Sequence, residues 1–140
     1  MSTKRIDKLV HVKQMAVDAA EGALASARVQ TATAELALVA IERAWAEAVE
    51  RAALATCTAD LADADAHGRT LRQAVQRAEW TVLTKRREEQ RHRALVSEAR
   101  TELRRFEMWS ERAAATASAQ ATRVQRRAED DLAARHGRNQ

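Results

Sequence analysis

The chain has 140 residues, 46% hydrophobic but only 3% aromatic, with one cysteine, three glycines and no proline. Its 24 lysines and arginines outnumber 20 acidic residues, for a formal net charge of +4. No run of about 18 uncharged apolar residues offers a membrane span, no apolar h-region follows the first Met, and a lone Cys57 excludes an internal disulfide, so a cytoplasmic protein is expected.

From Val10 to Ala66 apolar residues recur in alternating steps of three and four: Val10, Lys13, Val17, Ala20, Leu24, Ala27, Thr31, Ala34, Leu38, Ile41, Trp45, Ala48, Ala52, Ala55, Ala59, Ala62 and Ala66. Only Lys13 and Thr31 break the pattern. A repeat of 3.5 residues keeps one helical face turned to a partner helix, so the stretch reads as a coiled-coil helix over residues 3–66. Cys57 falls on the outer face of that helix and reads as a surface residue rather than a reactive thiol.

The turn signals cluster at Asp63-Ala-Asp-Ala-His67-Gly68-Arg-Thr70. Gly68 can take the left-handed conformation that closes a helix, and Thr70 with Gln73 has capping-box spacing, so a turn is expected over 67–70. A second helix over 71–135 carries Leu71, Val75, Ala78, Val82, then, after a gap, Val96, Ala99, Leu103, Phe106, Ala113, Ala117 and Val124. Residues 136–140 read as a disordered tail. The expected fold is all-α: a single antiparallel coiled-coil hairpin with arms of about 60 residues, each on the order of 90 Å long. Residues 1–66 carry 7 basic and 10 acidic side chains and residues 67–140 carry 17 and 10, so the arms attract each other.

A turn at residue 68 puts Val10 opposite Val124, Arg28 opposite Phe106 and Trp45 opposite Glu89. The charged run from Lys85 to Arg93 then lies level with Ile41, Trp45 and Ala48. Either basic stems cross the alanine surface and the Trp45 ring, or the arms part and Trp45 is a seam residue offered to another protein. Leu54, Leu61, Trp80 and Leu83 form an apolar cluster off the seam, which is a contact surface unless a shifted seam buries it. The run from Lys85 to Arg93 argues only weakly for nucleic acid, because two Glu dilute it and no aromatics interleave.

No enzymatic constellation emerges. His11, His67, His92 and His136 are scattered without the three- or four-residue spacing of helical metal sites, and a two-helix arrangement offers no water-excluding pocket. Neither a metal nor a cofactor is expected, and the chain reads as a non-enzyme.

Several segments resemble a known family. The opening Arg5-Ile-Asp-Lys-Leu9-Val-His-Val-Lys-Gln14 and Ala19-Ala-Glu-Gly-Ala-Leu24-Ala-Ser-Ala-Arg28 look like the start of the FliJ/YscO (SctO) family, the central-stalk proteins of flagellar and injectisome type III secretion. Glu98-Ala-Arg-Thr-Glu-Leu103-Arg-Arg-Phe-Glu-Met-Trp109-Ser-Glu-Arg112 resembles the family's second helix, and Arg123-Val-Gln-Arg-Arg-Ala-Glu-Asp-Asp-Leu132-Ala-Ala-Arg135 its basic-then-acidic close. The alanine- and arginine-rich texture resembles the injectisome branch.

The resemblance implies a non-enzymatic stalk similar to a rotary-ATPase gamma subunit. The paired termini would enter the hexameric secretion ATPase, through Lys4, Arg5, Lys8, Arg123, Arg126, Arg127 and Arg135, and the turn end would reach the cytoplasmic domain of the export-gate membrane protein, through Leu54, Leu61, Trp80 and Leu83. Secretion chaperones are further implied partners. Solvated surface is the equal alternative for any one of the basic residues. The alternatives are a self-associating structural coiled coil and, behind it, a basic helical nucleic-acid-binding protein.

Overall fold

A computed structural model of the chain describes residues 2–139 and contains two α-helices, α1 (Thr3–Ala53) and α2 (Thr58–Arg138), packed against each other as a helical hairpin. The expected fold class is thus the observed one. By contact density the chain divides into two units, one made of residues up to Asp18 with those from Glu98 onward, the other of Ala19–Ser97. Both helices contribute to each.

The turn lies elsewhere than expected. α1 stops at Ala53, not 66, and the connector is Leu54-Ala-Thr-Cys57. Leu54 and Ala55 donate to the carbonyls of Arg51 and Ala52 at 3.1 and 3.2 Å, tightening the last turn into three-residue spacing. Cys57 then caps α2: its carbonyl accepts from Leu61 N–H at 3.1 Å and its Sγ from Asp60 N–H at 3.5 Å. Asp60, in the first turn of α2, complements the positive end of the helix dipole. Cys57 is therefore a connector residue rather than one on the outer face of α1.

Gly68 closes nothing. No glycine among the described residues has positive φ, and Gly68 lies within α2, half-buried on the seam. Thr70 bonds back to the Ala66 carbonyl at 3.1 Å as a residue inside a helix does, instead of capping one. At the other end α2 runs through His136, Gly137 and Arg138, which the sequence reading leaves as a tail. Arg135, His136 and Arg138 in the last turn suit its negative end; Gln140 lies outside the described residues.

In the unit from Ala19 to Ser97 the α1 seam follows its repeat, with Leu24, Ala27, Thr31 and Ala48 buried. Thr31 satisfies its hydroxyl on the Ala27 carbonyl at 3.0 Å, which explains a polar residue at a seam position. Beyond Ile41 the half-buried position is Ala44, and Trp45 turns outward at 38% exposed. The α2 seam runs without a break through Ala64, Gly68, Leu71, Val75, Ala78, Val82, Lys85, Glu89, His92 and Val96, all buried or half-buried. Ala59, Ala62 and Ala66, which the sequence reading places on the first seam, belong to α2 and are exposed. In the other unit Ile6 and Val17 are buried, and Leu103, Phe106, Ser110 and Ala113 continue the α2 seam.

Candidate interaction surfaces

Three surfaces follow from this register. The first is the charged run at Lys85–Arg93. Lys85 Nζ donates to Gln30 Oε1 at 3.1 Å, Arg86 donates twice to Glu35 Oε1 at 3.0 and 3.1 Å, and Glu89 stands 3.8 Å from Arg28 and 2.8 Å from Arg93. Arg28 thus meets Glu89 rather than Phe106, and the run pairs with polar residues of α1 instead of lying over Trp45. The anticipated mismatch came from the misplaced turn. These pairs fix register, and the one between the exposed Arg86 and Glu35 contributes little stability.

Beside the connector, α1 and α2 enclose the second surface, an open groove of about 240 Å³ lined by Trp45, Ala48, Val49, Ala52, Ala64 and Gly68, with Arg72 at Trp45 and Asp65 ion-paired to Arg69 at 3.2 Å. Trp45 therefore shares this groove with Arg72, and Glu89 pairs elsewhere. Small side chains on both walls explain the groove: beyond its chain neighbours and its own helix backbone, nothing lies within 4 Å of where a Gly68 Cβ would stand. Leu54, at 79% exposed the barest large apolar residue among those described, and Leu61 lie in and just after the connector. Trp80 and Leu83 are exposed too, but Trp80 lies about five turns along α2 from Leu61, so the four residues do not form one cluster.

The third surface belongs to the unit holding both ends of the described chain. Here the helices are clamped by Ser110 Oγ donating to Asp7 Oδ1 at 3.0 Å, by Lys13 Nζ 3.5 Å from Glu102, and by that same ammonium 5.3 Å from the Phe106 ring centroid. Trp109 meets Phe106 edge-on at 5.1 Å between centroids. Lys13, the other polar seam residue, thus lays its stem along the seam and its charge on an acid and a ring face. Nearby, the hydrogen bond that Glu111 accepts and its charge, then the hydrogen bond that Glu107 accepts, raise the pKa of the Arg104 guanidinium.

With Asp7 facing Ser110, α1 begins about level with residue 114. α2 continues alone, and every residue from 114 to 139 is exposed, including Val124 at 68% and Leu132 at 58%. Arg123, Arg126, Arg127 and Arg135 all project from this bare segment. Lys4, Arg5 and Lys8 are exposed on the first turns of α1, and Arg123 lies roughly 15 Å further along α2 from their level. The seven basic residues therefore form two groups, and Val10 has no Val124 opposite it. Turn placement was the missing signal: a connector at Leu54–Cys57 makes α2 outrun α1.

Among the described residues no group of three or more His, Cys, Asp and Glu could hold a metal ion, and no helix is long and apolar enough to cross a membrane. Comparison with family models, with curated proteins and with solved structures finds no match to this chain.

Proposed function

We propose that the chain is a non-enzymatic central stalk of a bacterial type III secretion apparatus, of the injectisome kind before the flagellar. In this reading the bare part of α2 enters the pore of the hexameric secretion ATPase, the connector region contacts the export gate, and secretion chaperones are further partners. The observation that carries the reading is the emergence of a single basic helix from a hairpin. Residues 114–138 extend past the start of α1 and are exposed, and Arg123, Arg126, Arg127 and Arg135 lie along them. A slender helix presenting guanidinium groups suits a narrow channel lined by carboxylates, where charge complementarity favours entry. The resemblance of the opening and closing segments to the FliJ/YscO family supports the same role.

Such a shaft acts by asymmetry. Six identical subunits meet different faces of one helix, and differential affinity for their conformations biases the ring, as it does for any ligand. The test is a pull-down of the ATPase with the chain and with its Arg123→Glu, Arg126→Glu, Arg127→Glu variant. Reversal is expected to abolish capture while circular dichroism keeps its helical signal. Equal capture by both proteins rejects the assignment of these residues.

A further inference from the structure

We propose that the bare segment of α2 in one copy of the chain, residues 114–128, docks in the groove beside the connector of a second copy. This inference goes beyond the stalk reading and does not depend on it.

Shape is the first argument. Ala48, Ala52, Ala64 and Gly68 leave the groove walls low, with Trp45 and Val49 standing beside them. A helix fits closely only if its own surface is low too, since side chains at the contact set the interaxial distance. Residues 114–121 read Ala-Ala-Thr-Ala-Ser-Ala-Gln-Ala and supply such a surface, followed by the exposed Val124. Docking would cover apolar groups that both surfaces leave in water.

Charge is the second argument, and it selects the groove over the rest of the chain. Residues 41–72 carry six acids (Glu42, Glu47, Glu50, Asp60, Asp63, Asp65) against four arginines (Arg43, Arg51, Arg69, Arg72), net −2. Residues 1–40 are net +1 and residues 73–112 net +3. The docking segment carries Arg123, Arg126 and Arg127 and no acid, net +3. The only net-negative stretch in this division therefore surrounds the groove. Asp65 lines it, and Glu42 lies two turns before Val49 on the same helix face.

Self-association in this form would occupy Arg123, Arg126 and Arg127, so a docked copy and a secretion ATPase would compete for them by mass action.

Cys57 makes the test direct, because the chain's one cysteine is exposed in the connector and accepts a maleimide-linked photocrosslinker without mutation. Sedimentation of the full chain is expected to give a mass that at least doubles with rising concentration. In mixtures of isotopically labelled and unlabelled chain, irradiation is expected to join Cys57 of one copy to residues 114–138 of another. A monomer mass throughout, or adducts confined to other segments, overturns the proposal. Glu42→Lys with Asp65→Lys is expected to weaken association by about tenfold or more, and adding Arg123→Glu, Arg126→Glu and Arg127→Glu to restore it. Helicity by circular dichroism separates lost docking from lost folding, and no restoration in a helical variant also counts against the proposal. The double variant leaves the bare segment unchanged and removes only the competing copy, so ATPase capture by it is expected at or above the wild-type level and the two readings fail separately.

Discussion

At the residue scale, Gly68 carries a conformational cost without using its freedom. It sits inside α2 with negative φ, and a methyl group there meets nothing within 4 Å. Gly68→Ala is therefore expected to raise unfolding free energy by about 0.5–1 kcal/mol in urea titrations of the monomer. A loss of stability would mean that the residue closes a helix after all. The seam makes an opposite prediction: Val82 is 4% exposed and Val124 68%. Val82→Ala should cost about 2 kcal/mol and Val124→Ala almost nothing, since only the first removes methyls from a packed site. The polar seam residues were legible as exceptions but not as solutions: Thr31 closes its hydroxyl on its own helix, whereas Lys13 needs Glu102 and Phe106 from the facing one.

At the element scale, the two helices and their antiparallel pairing could be read from the alternating three and four steps, while the turn could not. Alanine fills positions 52, 53, 55, 59, 62, 64 and 66, so a seam can be drawn through the connector in more than one phase. Gly68 drew the turn towards itself, whereas Thr56-Cys-Thr58, poor in helix propensity and followed by Asp60, was the quieter and correct signal. Moving the turn shifted every facing pair. It converted a supposed mismatch at Lys85–Arg93 into matched polar contacts, split the apolar cluster, and left part of α2 bare. That segment carries its own prediction, because lone helices are marginal without tertiary packing. Amide hydrogens of residues 116–138 in the monomer should exchange much faster than those of residues 75–103, read by mass spectrometry. Uniform protection along α2 would show that the bare segment is covered.

For the whole molecule, the described features are surfaces: a net-negative stretch around the connector and a bare helix carrying arginines. Its acidic connector region and its basic bare helix are the two features a partner would distinguish. The candidate ATPase residues on α2 were legible in the sequence as a basic cluster, but their isolation from Lys4, Arg5 and Lys8 was not, since it depends on where α1 begins relative to α2. The central claim is that this basic helix acts on a ring of secretion ATPase subunits. It is tested most directly by the activity and assembled mass of the purified type III secretion ATPase from the same organism, with and without the chain. Faster ATP hydrolysis is expected, together with a shift of the ATPase towards hexamer. An unchanged rate and mass beside a fully helical chain would contradict that claim.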